Sequence, residues 1–290
     1  MQILHKEVIS FPKRVVVAGS SGCIGVCLIS ELKRLGFDVL EIPSSEFVEN
    51  LQGVKADVFV NLAWRGSRGV LRSDYNLQLN SVKAALDYYG LACQMGCKRY
   101  FCPGTIGELM VDLPECSGIR SQNFVYINAK SVLRRMLKSL EFVDRCKVVW
   151  VRLGNVYGSG DSGNLVSWTL SKILAGERAI FGPAQQPYEF VHIDDCVRAL
   201  VALISSDTIT KDSYYIGCGN PKELRQWLVE IGRISGREEL ILIGERSDDG
   251  TRYRKEWFDI SQLTADTGYE PLIVFSDGVE RLIAQYKEGV

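Results

Sequence analysis

The chain has 290 residues, 46% of them hydrophobic and 24% charged, with a formal net charge of -1. That is an ordinary balance for a globular enzyme, and it offers no field to recruit nucleic acid or an anionic membrane. No stretch approaches the run of about 18 uncharged apolar residues that a membrane span needs. Nine cysteines, an odd number without the paired spacing of a zinc site, and two histidines, His5 and His192, leave no metal centre to expect. Cysteines scattered in this way suit a reducing compartment, and charges at Lys6, Glu7, Lys13 and Arg14 interrupt any signal-peptide core. The expectation is a soluble, cytoplasmic protein without nucleic-acid or membrane partners.

The first element is the β-branched run Arg14-Val15-Val16-Val17-Ala18, which ends in Gly19-Ser20-Ser21-Gly22-Cys23-Ile24-Gly25. Ile24, Leu28, Leu32 and Leu35 then recur at helical spacing as far as Gly36. Phe37 to Ile42 reads as a second strand, halted by Pro43, and Ala56 to Leu62 as a third. Tyr75 to Met95 predicts a long helix ending before Gly96, and Arg99 to Cys102 a strand running into Pro103-Gly104. Asn123 to Phe142 predicts another helix and Val148 to Leu153 another strand. This alternation predicts an α/β fold, a Rossmann-type doubly wound parallel sheet. After Gly158 the rhythm fades. The expected division is a dinucleotide-binding domain over 1–158 that carries the catalytic residues, and a smaller C-terminal α/β substrate domain over 159–290. Ser213 to Ile216 is a candidate to return to the main sheet.

Gly19, Gly22 and Gly25 form Gly-x-x-Gly-x-x-Gly between a strand and a helix. The first lets the chain turn tightly, the second lets backbone approach a pyrophosphate, and the third lets helix pack on strand. The helix start, with Ser21, Cys23 and Ile24, then offers N–H groups and a positive dipole end to the phosphates. The expected cofactor is therefore NAD(P)(H). At the end of the second strand, Pro43-Ser44-Ser45 stands where an NAD enzyme often has an acid for the ribose hydroxyls. Ser44 and Ser45 tolerate a 2′-phosphate, which favours NADPH. Glu41, on the same side by period two, keeps NADH open, and no arginine stands nearby.

Tyr126 and Lys130 lie four residues apart on a predicted helix, so they share a face. A neighbouring ammonium favours phenolate, so the expectation is that Lys130 lowers the proton affinity of Tyr126. Thr105 follows the strand ending at Cys102, at the sheet rim where ligands bind, and offers its hydroxyl to a reacting oxygen.

With these residues the sequence resembles the extended short-chain dehydrogenase/reductases, in particular the nucleotide-sugar epimerase, dehydratase and reductase branch. Further elements of the likeness are Asn61-Leu62-Ala63-Trp64, Asn80, Arg152-Leu153-Gly154-Asn155-Val156-Tyr157-Gly158 and Phe190-Val191-His192-Ile193-Asp194-Asp195. The resemblance implies that Tyr126 is the general acid/base and that Lys130 also binds the nicotinamide ribose. It implies that Leu62 and Ala63 lie at the cofactor, that Thr105 positions the substrate oxygen, and that Asn155 sits beside a sugar nucleotide. It also implies a homodimer through the two long helices. Asp194 or Asp195 is expected to cap the helix that follows, with His192 ordering that corner.

Three departures narrow the activity. Thr105 is followed by Ile106-Gly107 rather than the acid pair of the family's dehydratases, and Cys102 precedes Thr105, which removes support for a fucose-pathway epimerase-reductase. Tyr188 stands in the place of an arginine with which many members of the family grip the substrate diphosphate, so either phosphate binding comes from elsewhere, with Arg252 or Arg254 as candidates, or the substrate is not the usual nucleotide diphosphate sugar. The basic loop Arg65-Gly66-Ser67-Arg68-Gly69 is a candidate to face substrate. These features favour an NAD(P)H-dependent reductase of a 4-keto-6-deoxy nucleotide sugar. A 4-epimerase with the same residues stays open, and a cofactor sensor without chemistry is disfavoured because Tyr126 and Lys130 are both present.

Overall fold

Consecutive apolar residues such as Val15 to Ala18 are fully buried only if both faces of their strand are covered. In the structure, a computed structural model that describes residues 14–43, 51, 53–111, 113–116, 121, 123–158 and 163–288, they are. The elements run β1 Arg14–Ala18, α1 Cys23–Arg34, β2 Asp38–Ile42, β3 Val58–Asn61, α2 Tyr75–Met95, β4 Arg99–Thr105, α3 Asn123–Val143, β5 Lys147–Leu153 and β6 Asn155–Tyr157. Then follow α4 Leu165–Leu174, β7 Ala179–Phe181, β8 Pro187–Tyr188, β9 Phe190–His192, α5 Ile193–Ser205, β10 Ser213–Ile216, β11 Lys222–Glu223, α6 Leu224–Ser235, β12 Ile241–Ile243, α7 Ser261–Thr267 and α8 Phe275–Glu288.

Six strands form one parallel sheet in the order β10-β5-β4-β3-β1-β2. Side chains alternate across it by the period of two. Val15, Val17, Val58 and Val60 meet α1 and α5 on one face, through Leu28, Leu32 and Leu200. Val16, Ala18, Phe59 and Trp150 meet α2 and α3 on the other, through Tyr89, Met95 and Leu133. The chain leaves β1 toward β2 on one side and comes back to β3 on the other. That reversal opens a crevice at the carboxyl ends of β1 and β3, the place where such sheets bind ligands.

Two elements differ from the sequence expectation. β4 does not stop at Cys102 but continues through Pro103 and Gly104 to Thr105, paired residue by residue with β5. Proline is tolerated because β3 pairs with β4 only as far as Phe101, so Pro103 withholds no N–H from a ladder. Gly104 fits because the Trp150 indole fills the space above it, where an added Cβ would lie 2.2 Å from the ring nitrogen.

The helix cap at the second point is His192, not either aspartate. α5 begins at Ile193, so both acids fall in its first turn, while His192 Nδ1 accepts the Asp194 N–H at 3.2 Å. Asp195 is fully buried and accepts the N–H groups of Leu272 and Ile273, anchoring the segment before α8.

From β6 onward the chain builds a second core around Leu170, Phe190, Trp227 and Phe275, with three two-stranded pairings among the described residues, β6–β9, β7–β12 and β8–β11. It also returns to the first layer, since β10 is the sixth strand of the main sheet and α5 packs on α1.

Candidate active site

The Gly-rich turn is shaped by its own backbone. Gly19 has φ +79, in the left-handed region, and a Cβ there would lie 2.7 Å from the Ala63 nitrogen. At Gly25 a Cβ would lie 2.3 Å from the Gly19 carbonyl oxygen, so only glycine lets α1 begin against the turn. Gly22 caps α1 without a side-chain hydrogen bond, and the first turn carries no acid. That leaves the positive end of the helix for an anion. The cradle fits the pyrophosphate of a dinucleotide.

From this turn a cavity of about 850 Å³ crosses the ends of the strands. Gly19, Gly22, Cys23, Ile24, Gly25 and Leu62 line its cofactor end, Thr105, Tyr126 and Lys130 its middle, and Asn155 and Tyr188 its far wall. Eleven sequence candidates thus meet at one site. Ser21 stands exposed at the edge of the turn, and Ala63 packs behind Gly19. Ser44 lies outside the described residues. Glu41 is paired with Lys33 at 2.7 Å.

Arg252 is not brought to the cavity. Its guanidinium, half exposed, pairs with Asp248 at 2.7 Å, because the two are four residues apart in an exposed loop. The neighbour Tyr253 takes the place in the lining. Among the described residues the lining carries three cations, Arg68, Arg72 and Lys130, and no Asp or Glu. Such a wall favours an anionic ligand. Also among the described residues, no group of His, Cys, Asp or Glu is placed to hold a metal ion.

Thr105 ends β4 opposite Leu153, and its Oγ accepts the Gly107 N–H at 3.3 Å. Tyr126 and Lys130 are both buried on the inner face of α3. Burial pushes the Tyr126 phenol up to about 12, and Arg72 opposes this. Burial brings the Lys130 ammonium down to about 8.

The spacing of four does share a face, and the cations around the phenol are held in different ways. Lys130 Nζ donates to the Pro103 carbonyl at 2.8 Å, rests 3.5 Å over the Trp64 ring, and stands 5.9 Å from the Tyr126 ring centre. The Arg72 guanidinium is nearer, 4.8 Å from that centre. Trp64 meets Tyr126 edge-on at 6.0 Å. At the far wall, Tyr188 donates to Asn155 Oδ1 at 2.7 Å.

Arg72 and Tyr253 are lining residues that sequence patterns did not single out, and Trp64 enters them only as part of the family likeness. A signal was present for one of them, since the basic loop ending at Gly69 lies three residues before Arg72. The segment is held by buried side chains of α2. Gln78 accepts the Trp64 indole N–H at 2.9 Å and donates to the carbonyls of Gly66 and Leu71, while Ser81 binds the backbone of Arg65.

The model of the NAD dependent epimerase/dehydratase family matches residues 15–217, from β1 past the tyrosine–lysine pair to the end of β10. UDP-glucuronic acid decarboxylase 1 of Xenopus tropicalis is 22% identical over 319 residues, covering 95% of this chain and 72% of the relative. CDP-abequose synthase of Yersinia pseudotuberculosis is 24% identical over 238 residues, covering 72% of this chain and 80% of the relative. The fold matches that of the UDP-glucose 4-epimerase of Thermus thermophilus, solved with NAD, at a TM-score of 0.76 and 18% identity, covering 96% of this chain and 100% of that one. The glycine cradle, the buried tyrosine–lysine pair and these likenesses agree, and the chain belongs to the NAD-dependent epimerase/dehydratase family, in the extended short-chain dehydrogenase/reductase branch.

Proposed function

We propose that the protein reduces the ketone of a 4-keto-6-deoxy nucleotide sugar, with NADPH preferred over NADH. Tyr126 carries the proposal. With its phenol up at about 12 it is protonated at neutral pH, the state required of a proton donor to a ketone oxygen. The cofactor, held by the Gly19–Gly25 turn and by Lys130, supplies hydride when bound. Thr105 holds the ketone oxygen, Tyr126 gives it a proton, and Asn155 with Tyr188 forms the wall on the sugar side. Arg68 and Arg72 suit the substrate diphosphate in the role expected of Arg252. The lining holds no carboxylate among the described residues, which disfavours acid-assisted elimination of water. The relatives named above act, by their names, on UDP- and CDP-linked sugars. The preference for NADPH rests on the sequence at Ser44 and Ser45 alone.

The test follows loss of reduced-nicotinamide absorbance with NADH or NADPH and a panel of 4-keto-6-deoxy nucleotide sugars. Turnover of one member, reduced on the order of 10²–10⁴-fold in Tyr126→Phe, is the expected result. Silence across the panel with cofactor binding intact would favour the 4-epimerase, which uses the same residues and retains its cofactor through turnover. Unchanged turnover in Tyr126→Phe would remove the proposed mechanism.

We also infer a homodimer. Val132, Met136 and Leu140 are exposed at four-residue spacing on α3, and Leu79 is exposed on the adjoining α2. Sedimentation at micromolar concentration should give twice the chain mass. The nine cysteines form no disulfide, which supports a reducing, cytoplasmic location.

A further inference from the structure

Two residues of β4 that serve the site lie on its least supported stretch. The Pro103 carbonyl receives the Lys130 ammonium at 2.8 Å, and Thr105 ends the strand at the cavity. β3 pairs with β4 only as far as Phe101, and proline brings no N–H of its own. From Cys102 to Thr105 the strand is therefore paired on one side alone, with β5. A strand end held on one edge frays readily. A hydroxyl that must meet a reacting oxygen tolerates little displacement.

What holds this stretch comes from the turn that follows it. Glu108 lies in the short turn Ile106–Met110, which begins at Thr105. It falls beyond the place of the dehydratase acid pair, and it does not line the cavity. Its side chain runs back behind the strand end instead, where the residue is only 3% exposed. There Oε1 accepts the Trp150 indole N–H at 2.7 Å and the Arg152 Nε–H at 2.5 Å. Those two residues of β5 stand opposite Cys102 and Gly104 in the ladder. Arg152 is anchored in turn to Ser213 Oγ, on β10, at 2.6 Å. Gly104 lies directly under this clasp, since a Cβ on it would come within 3.0 Å of Glu108 Oε2.

As a piece of core the clasp is costly. Both charges are largely withdrawn from water, and Oε2 is buried without a hydrogen-bond partner among the described residues. Apolar side chains of similar volume often hold a core as well as a buried ion pair does, and an orphan oxygen adds to the penalty. What apolar side chains lack is direction. The carboxylate fixes one end of the turn to two named donors, and Thr105 is the other end.

We propose that Glu108 is a positioning residue, whose clasp on Trp150 and Arg152 holds the end of β4 with Thr105 toward the reacting oxygen and the Pro103 carbonyl toward Lys130. The inference rests on the reading of Thr105 as the group that holds the ketone oxygen. Glu108 touches no reacting atom and exchanges no proton. It acts through the strand it closes.

The test compares two variants in the cofactor-bound protein. Glu108→Leu combined with Arg152→Met removes both charges at once, so no uncompensated ion is left in the core. Glu108→Gln keeps Oε1 for both donors and removes only the charge. In the double variant, amide hydrogen exchange over 104–111 should quicken about tenfold or more, while the Gly19–Gly25 turn stays protected. On the ketone substrate its kcat should fall about tenfold or more with KM within about twofold, the pattern of an interaction lost in the transition state. Glu108→Gln should recover most of both losses. Unchanged exchange over 104–111, exchange that quickens equally in the glycine turn, or a kcat equal to the parent's overturns the inference. So does a Glu108→Gln variant as impaired as the double one, because the charge and not the clasp would then matter, and this arm stays readable if the double variant folds poorly. The exchange measurement uses no substrate, so it judges the clasp even where the activity panel is silent.

Discussion

Two rims face each other across the cavity, and they hold their shapes by different means. The Gly19–Gly25 turn is set by main chain against main chain, with Gly19 pressed on Ala63 and Gly25 on Gly19. The Arg65–Arg72 segment is set by side chains, with Gln78, Ser81 and Asn123 reaching into it from α2 and α3. A rim of the first kind binds by backbone amides and tolerates no added atom. A rim of the second kind presents long cations, and each of them can be removed without moving the main chain. The same contrast separates what local rules describe from what only the folded chain brings together.

Substitution on the glycine rim should have the largest effect. In Gly25→Ala the new Cβ would lie 2.3 Å from a backbone oxygen that has no side chain to yield. The start of α1 must then move off the turn. Dinucleotide affinity, read by tryptophan fluorescence, should fall on the order of 100-fold, with a loss of stability of about 1–3 kcal/mol. A variant that bound cofactor like the parent would mean that the rim is softer than its contacts imply.

Next in size is the cost of holding Lys130 between the rims. Its ammonium titrates at about 8 in the folded chain against an ordinary 10.5. Between those values the unfolded chain binds more protons, so stability should rise with pH across that window. A difference of this size corresponds to about 3 kcal/mol for the parent protein. In Lys130→Met the rise should vanish, so the variant's advantage at pH 7 should shrink toward pH 10. Urea titrations at the two pH values measure it, and parallel curves would mean that Lys130 keeps its proton throughout.

The contrast between the rims also separates what was legible in the sequence from what was not. Parallel strands wrapped by helices, the glycine turn, Thr105, Tyr126 and Lys130 all follow from period, spacing and position. They depend on neighbours a few residues away or on the rule that ligands bind at strand ends. The continuation of β4 through Pro103 could not be foreseen, because it depends on where β3 stops. The cation over the Tyr126 ring could not be foreseen either. Arg72 comes to that ring from a turn 54 residues earlier in the chain, held by Asn123 and Ser67. Arg252 was an expected phosphate cation, and an aspartate four residues away pairs with it instead.

A smaller effect should follow from loosening the side-chain rim. Gln78 is buried and makes three hydrogen bonds, with the Trp64 indole and the carbonyls of Gly66 and Leu71. Gln78→Leu keeps the volume and leaves those groups without partners, at a cost of about 2 kcal/mol. Hydrogen exchange should quicken across 64–72 while the glycine turn stays protected. Equal exchange in both segments would deny that the rims are held by different means.

The smallest contrast is between two arginines that the sequence did not distinguish. Arg68 lines the cavity and lies against Gly163 on the opposite lip, so its charge spans the mouth. Arg252 faces solvent and is already neutralised by Asp248. An exposed ion pair of that kind contributes about 0–1 kcal/mol and has little charge left to offer a ligand. Titrated with a nucleoside diphosphate, Arg68→Met should bind about tenfold more weakly, a loss of about 1.4 kcal/mol. Arg252→Met should bind like the parent at any ionic strength, whereas the deficit of Arg68→Met should narrow as salt screens the parent's advantage. Equal losses in the two variants would show that the loop from Asp248 to Tyr253 swings in to meet the ligand, and the anion wall would then include Arg252 after all.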